Sequence, residues 1–437
     1  MSTSMNAQWV AVGGGMDNYV NGSAVYNDEL YASGNFEHAD GIECLGIARW
    51  SGSTWAPVGG GFQHNAFSNV VYALTVFNNE LIAGGYVDSV AGMPIQKVAR
   101  WNGAAWSAMG NDCSINTIRC FCVHNGELYA GGQASGALNN RCVEKWNGTN
   151  WVPIENSGSG HEVWSMASYN GELYACGNFT ALDGVTVNGV ARWNGTAWSD
   201  VGGSIPGITV TDIVKTLAVF DGKLYAGGHF FAMGTATVND IASWDGSSWA
   251  DVGGGVGGST AGVQSLLPFG GKLFVGGSYW TVNGVDANRA AYWDGSAWTV
   301  LGLDLGAGAR SMAVYNTDLY SFGEGAFNGQ SYAARWTGGA FSGIAETNSP
   351  LLVQMAPNPV EQDGTITVDL HLVAAIAGSP MISIIGADGR IVHRERMSEY
   401  HGEHMEISLG GIASGPYTIA ICDNTGSLIA HGGLIVQ

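Results

Sequence analysis

Apolar positions along the first 340 residues come in short runs separated by Asn, Asp and Gly, and the runs pair off. Val70-Val-Tyr-Ala-Leu-Thr-Val-Phe77 passes through Asn78-Asn79-Glu80 into Leu81-Ile-Ala-Gly-Gly85, a strand, a tight turn and a second strand. Its relatives turn through Asn125-Gly126, Asn170-Gly171, Asp221-Gly222 and Gly270-Gly271, and seven copies run from near Ser23 to near Phe322. Both faces of these strands are apolar, which predicts sheets packed between two neighbours. Gly84-Gly85 and its equivalents predict close backbone approach inside a strand.

A second hairpin completes each unit. A V-A-R-W-like stretch ends in Trp50, Trp101, Trp146, Trp193, Trp244, Trp293 and Trp336, at spacings of 51, 45, 47, 51, 49 and 43 residues. Five positions later comes a second aromatic, Trp55, Trp106, Trp151, Trp198, Trp249, Trp298 and then Phe341. The pairs Asn102-Gly103, Asn194-Gly195 and Asp245-Gly246 between them predict two-residue turns. Each repeat thus holds four antiparallel strands, called a to d. A repeat of this size predicts an all-β fold, a seven-bladed β-propeller of four-stranded blades. Trp9–Gly15 copies Trp55–Gly61 and is a lone strand d ahead of the first strand a, placed to enter the last blade. An open array would leave unpaired edges.

This order puts the tight a–b and c–d turns on one side of the ring and the long b–c and d–a connections on the other. Variable loops on a rigid scaffold are the expected recognition face. The position after each Gly pair varies where its surroundings repeat: Asn35, Tyr86, Gln133, Asn178, His229, Ser278 and Glu324. The d–a connections add His64, His161, Glu162, Asp212 and Arg310. All twelve are candidate ligand-binding residues. Solvated strand ends are the plainer alternative for the first set.

Composition narrows the partners. The chain carries 16 Lys and Arg against 36 Asp and Glu, a net charge of −20, which disfavours nucleic acid and anionic lipid. Gly is abundant at 68 residues, but 16 Trp supply ample apolar surface, which excludes a collagen-like or disordered chain. No window has the length of apolar sequence needed to cross a bilayer. Seven Cys form no CxxC pair and hold no regular place in the repeat; a few disulfides with one thiol left over are compatible with them.

After Phe341 the rhythm stops. The domain reading is a propeller over 1–345, a linker over 346–354 and a small β-sandwich over 355–437, with turns at Asp388-Gly389, Gly410-Gly411 and Asn424-Thr425-Gly426. Pro357-Asn358-Pro359, Ile384-Ile385-Gly386-Ala387-Asp388-Gly389-Arg390, Leu409, Gly415 and Tyr417 together resemble the type A sorting domain of the type IX secretion system. The resemblance implies a Bacteroidota-type source and export by the type IX machinery, to a secreted or outer-membrane surface-attached state. Such export requires a signal peptide, which Met1–Gln8 does not supply, so this start reads as trimmed or truncated. The repeats resemble Kelch and galactose-oxidase-like blades, and more closely the N-G-x-L-Y-x-G-G-x-F repeats of secreted surface proteins. These resemblances imply fold rather than activity.

The repeated Trp residues read first as blade packing rather than sugar platforms, because they recur in every blade. Arg49, Arg100, Arg192 and Arg335 read as structural partners of a carboxylate or backbone group. His401-Gly-Glu-His404 reads as a solvated turn. The sequence holds no P-loop, G-x-S-x-G elbow, calcium loop or zinc-type Cys pair, and no cofactor or metal is implied. The reading is a non-enzymatic, exported propeller that binds a glycan or protein through its long-loop face. The alternatives are an extracellular lyase or oxidoreductase, which predicts titratable groups with shifted pKa values at the channel mouth, and an architectural surface-layer protein.

Overall fold

A computed structural model of the chain describes residues 9–63, 70–134, 141–154, 162–207, 211–258, 262–301, 308–316, 318–327 and 331–336. Nearer the C-terminus it describes residues 351–352, 355–356, 364–369, 381–386, 391–396, 404–410, 412, 415–422 and 428–436. All regular structure among these residues is β. The chain divides into two compact units, Met1–Phe341 and Ser342–Gln437.

The first unit holds, among the described residues, seven four-stranded antiparallel sheets of one topology. In the first, Val20–Tyr26 (a), Glu29–Gly34 (b), Ile47–Trp50 (c) and Trp55–Pro57 (d) pair in sequence order. The other strands a are Val70–Phe77, Thr117–His124, Val163–Tyr169, Ile213–Phe220, Val263–Phe269 and Ala309–Tyr315. Each strand a packs against the strand a of the next sheet, and that of the seventh packs against that of the first. In the seventh sheet the outer strand is the N-terminal Trp9–Ala11, antiparallel to Ser331–Trp336. Repeated four-stranded sheets in this order are consistent with a β-propeller.

The apolar core lies between sheets, as the two-faced strands predict. One buried cluster joins Tyr31, Ile47 and Val58 of the first sheet to Val71, Leu81 and Trp106 of the second. Another joins Val20, Leu30 and Trp55 to Tyr320 and Phe322 of the seventh. The repeated Trp pairs sit in this packing, with ring centroids 5.2 Å apart for Trp50–Trp55 and 5.4 Å for Trp101–Trp106. The second Trp also ties sheet to sheet. Trp55 Nε1 donates to Val12 O at 3.1 Å, Trp106 Nε1 to Val58 O at 2.9 Å and Trp151 Nε1 to Met109 O at 2.8 Å. A buried indole N–H needs an acceptor, and the preceding strand end supplies one.

The two families of turn differ. The a–b turns of the first six sheets are two-residue turns with both residues left-handed, for instance Asn125 (φ 50°) and Gly126 (φ 77°). The c–d turns depart from the two-residue expectation. Trp101 pairs with Trp106, which leaves a four-residue loop in which only Gly103 is left-handed. The Asn102 side chain closes it by accepting the N–H groups of Ala104 and Ala105, both at 2.9 Å.

The Arg of each A-R-W stretch pairs with a carboxylate at the start of strand b: Arg49 with Glu29, Arg100 with Glu80, Arg192 with Glu172 and Arg335 with Asp318. These half-exposed pairs on the tight-turn side are structural, and each contributes little.

The second unit contains a five-stranded sheet, ordered Leu351–Leu352, Leu428–Val436, Gly415–Cys422, Met381–Gly386, Ile391–Arg396, and a three-stranded sheet of Met355–Ala356, Thr365–Asp369 and His404–Ser408. Leu351–Leu352, read from sequence as linker, pairs in parallel with Ala430 and His431. Ile366, Ile382, Ile384, Ile407 and Ile419 are buried within the unit. Gly415 and Tyr417 lie on its strand Gly415–Cys422. Pro357, Asn358, Pro359, Asp388, Gly389 and Arg390 lie outside the described residues.

Candidate functional site

One irregularity recurs in every inner strand. In the second sheet Gly84 pairs with Ala73 and Gly85 with Val71, so Tyr72 is an extra residue, a β-bulge. The same skip falls at Asn21, Arg119, Trp164, Lys215, Gln264 and Arg310 in the other six. The second glycine of the motif, present in all seven strands b, explains why the bulge is allowed. A Cβ on Gly85 would overlap the carbonyl oxygen of Val70 across the strand pair, so only glycine admits this approach. Each bulge lies at the long-loop end of strand a, fourteen residues before the position that follows the Gly pair. The backbone is therefore repeated seven times and presents a different side chain each time.

These side chains meet one another around the ring. Arg310 NH1 donates to Asn21 Oδ1 at 2.6 Å, and Asn21 Nδ2 donates to Asn35 Oδ1 at 2.7 Å. Arg310 Nε donates to Glu324 Oε1 at 2.9 Å. Gln264 Nε2 is shared between Glu324 Oε1 at 3.0 Å and Ser278 Oγ at 3.1 Å. This belt crosses the sixth, seventh and first sheets, where the N-terminal strand completes the seventh. On the other side, the Arg119 guanidinium lies between aromatic faces, 4.1 Å from the Tyr72 ring and 4.5 Å from the Trp164 ring. Its NH2 donates to Glu162 Oε1 at 3.1 Å, with both side chains mostly buried (14% and 13% exposed). The Asn178 side chain accepts the Glu162 N–H at 2.9 Å.

In the fifth sheet His229 Nδ1 lies 3.2 Å from Asp240 Oδ1, and Asp240 also accepts the Phe230 N–H at 3.0 Å. Burial raises the Asp240 carboxyl to about 6, against the pull of that N–H and of His229. Burial likewise lowers Lys215, which feels the charges of Glu324, Arg310 and Asp240. These groups stand together at one end of the inner strands.

The residue before strand c adds a third tier. Its carbonyl accepts the N–H of the second glycine, as from Gly34 to Gly46, Gly177 to Gly189 and Gly228 to Asp240. In five sheets its backbone is left-handed, which suits Gly46 (φ 82°) and Gly189 (φ 80°). Three sheets put charged residues there instead: Lys97 (φ 66°), Asp240 (φ 60°) and Arg289 (φ 75°). Each faces a mouth side chain. Lys97 lies 4.9 Å from the Tyr86 ring, Asp240 beside His229, and Arg289 4.0 Å from the Trp280 ring. Left-handed backbone costs an L-residue about 1 kcal/mol, so these positions hold strain on the side of the ring that varies.

Of the sequence-predicted residues, Asn35, Asn178, Ser278, Glu324, Glu162 and Arg310 enter the hydrogen-bonded network, and Tyr86 and His229 join through Lys97 and Asp240. Gln133 bridges to Glu162 through backbone. Asp212 is partly buried directly ahead of Ile213–Phe220. His64 and His161 lie outside the described residues.

Sequence reasoning singled out Arg310 but missed the other six bulge positions and Trp280. Fourteen of the 16 Trp belong to the repeated c–d pairs and the closing strand; the two left over are Trp164 and Trp280, both at this mouth. The six cysteines whose side chains are described are free thiols, and burial raises Cys44 to about 11 and Cys122 to about 12, which keeps them protonated. Among the described residues no group of three or more His, Cys, Asp or Glu is placed to hold a metal ion. No helix among them is long and apolar enough to cross a membrane.

No protein-family model and no curated protein matches the chain. Solved structures do resemble it. One is PorZ, an essential bacterial surface component of the type IX secretion system of Porphyromonas gingivalis, at a TM-score of 0.45 and 16% identity over 98% of this chain. The matched region spans 60% of the PorZ chain. YjhT gives a TM-score of 0.41 and 13% identity, covering 66% of this chain and 99% of that one. A Bacteroides thetaiotaomicron protein of unknown function gives 0.35 and 9%, covering 77% and 98%. Likenesses this distant assign no function to the chain.

Proposed function

We propose that residues 1–345 form a seven-bladed β-propeller whose bulged mouth recognises a glycan or protein outside the cell. Residues 355–437 form the sandwich domain that commits the chain to export through the type IX machinery. The observation that carries the recognition reading is the constancy of the bulge against the diversity of its side chains. A purely architectural ring has no need to fill seven equivalent backbone positions with Asn, Tyr, Arg, Trp, Lys, Gln and Arg. Cyclic packing of the strands a and entry of Trp9–Ala11 into the seventh sheet support the blade count.

Glycan and outer-surface-protein arrays probed with the full chain and with the Tyr86→Ala/His229→Ala/Glu324→Ala variant test the reading. Wild-type hits that the variant loses are expected; hits that it retains in full would place recognition elsewhere. Export is tested by deleting residues 355–437 in a host with a type IX system. The truncated chain is expected to stay inside the cell, and its appearance outside would refute the sorting role.

One observation favours a second, enzymatic reading: His229, Asp240 and Lys215 gather titratable groups at the mouth, two of them with burial-shifted pKa values. It predicts that an array hit is cleaved or oxidised on prolonged incubation and that Asp240→Asn stops this. An unchanged glycan removes the reading.

A further inference from the structure

We infer that the mouth takes an acidic polysaccharide, a chain of uronate-type sugars whose carboxylates meet the cations of the inner ring and whose apolar faces meet its aromatic rings. This rests on the recognition reading above and narrows its ligand class.

The charge pattern is the first ground. The chain has more than twice as many acidic as basic residues, yet the seven bulge positions hold three cations, Arg119, Lys215 and Arg310, and no carboxylate. Lys97 and Arg289 extend the set at left-handed positions where the first and fourth sheets use glycine. With Glu162, Glu324 and Asp240 beside them, these five cations still outnumber the three carboxylates, against the composition of the whole chain.

The second ground is how the cations are held. Four of the five lie over aromatic faces: Arg119 over Tyr72 and Trp164, Lys97 over Tyr86, Arg289 over Trp280, and Arg310 over Tyr19 at 5.1 Å. Stacking fixes a guanidinium plane and aims its N–H edge at planar oxyanions, as Arg119 meets Glu162 and Arg310 meets Glu324, a geometry that suits a carboxylate better than a hydroxyl. Phe231 (57% exposed), Trp280 (45%) and Tyr19 (40%) stand open beside them, apolar faces on which pyranose C–H groups can stack.

Backbone donors beside these side chains are already used. At the ends of strands b, Asn35 N–H donates to Tyr19 O, Ser278 N–H to Gly262 O and Glu324 N–H to Gly308 O. These donors are spent within their own sheets, which leaves them unable to receive an added strand. Recognition falls to side chains. The inner ring keeps buried polar atoms without a hydrogen-bond partner at Arg119 Nε, Trp164 Nε1 and Gln264 Oε1, two donors and an acceptor.

The test uses the full chain in affinity electrophoresis through gels containing polygalacturonate or its methyl ester, which share a sugar backbone and differ in charge. Polygalacturonate is expected to retard the protein, with affinity falling about tenfold or more on esterification, on Lys215→Met, and on raising NaCl from about 50 to about 500 mM. Arg289→Gly, which suits the left-handed backbone, serves as a second variant should Lys215→Met fold poorly. Equal retardation by ester and acid, abolished by Trp280→Ala, would overturn the acidic class and leave the mouth as the binding site. Acid-specific retardation untouched by all three variants would overturn the mouth itself. Absence of retardation by either polymer would overturn the uronate assignment while the arrays still decide on recognition.

Discussion

Trp9 stands directly opposite Trp336 in antiparallel register, their rings 5.3 Å apart at 59°, so the start of the chain supplies the outer strand of the last sheet. Trp9 is 3% exposed and shares a buried cluster with Phe274 and Leu301 of the sixth sheet and Leu319 of the seventh. Among the described residues nothing covalent closes such a ring, so its closure rests on this packing, on three register pairs and on the buried cluster that joins the first and seventh sheets.

Trp9→Ala is therefore expected to cost about 3–5 kcal/mol, as for a fully buried Trp elsewhere. Urea unfolding followed by tryptophan fluorescence checks this. A loss below about 1 kcal/mol would mean that the N-terminal strand is dispensable for closure.

The indole N–H bonds between successive sheets predict a smaller effect. Trp106→Phe keeps an aromatic ring in the cluster but strands Val58 O, which Trp106 Nε1 reaches at 2.9 Å. A destabilisation of about 1–3 kcal/mol is expected, with any ligand affinity unchanged, because Trp106 is remote from the mouth. Chemical denaturation beside a binding isotherm separates the two quantities.

Strain at the mouth predicts a trade of stability for binding. Arg289→Gly relieves a φ of 75° and gives up a half-exposed contact with Trp280, two terms of about 1 kcal/mol each and opposite sign. The thermal midpoint should stay within about 3 °C of the parent while binding weakens. A large fall in the midpoint would show that Arg289 is there to hold the fold.

Asp240 predicts a pH signature. Its carboxyl titrates near 6 when folded against 3.8 as the reference value. Between those values the folded chain binds more protons than the unfolded one, so this group makes stability fall as pH rises from about 4 to about 6. Asp240→Asn keeps an acceptor for the Phe230 N–H and tolerates the left-handed backbone. It is expected to flatten that slope and to stabilise the protein at pH 7 by about 1–3 kcal/mol. A variant less stable than the parent at pH 7 would show that the ionised carboxylate, paired with His229, is a net asset.

Much of the architecture was legible because the sequence spells each hairpin in turn residues. Asn125-Gly126 and its relatives announce a left-handed pair, and the Trp spacing announces the period. Trp9–Gly15, a strand without a partner ahead of the first repeat, announced where the chain would close. The c–d loops were misread because Asn102-Gly103 looks the same in a two-residue and a four-residue loop; only the Trp101–Trp106 register distinguishes them.

The site was half legible. The position after the Gly pair stands out as variable beside an invariant motif. The bulge position does not, because an extra residue changes register and leaves alternation nearly intact, so Tyr72 and Arg119 pass for ordinary strand residues. A signal existed in the constant interval of fourteen residues from bulge to post-glycine position. Trp164 and Trp280 were hidden among fourteen structural tryptophans.

The most direct test of recognition at the mouth is hydroxyl-radical footprinting of the full chain with and without a ligand retained on the arrays. Tyr19, Phe231 and Trp280 report on the mouth, and Phe269, 40% exposed on the tight-turn side, reports on the opposite face. The account predicts protection of the first three with Phe269 unchanged. Protection of Phe269 with the mouth aromatics unaffected would contradict it.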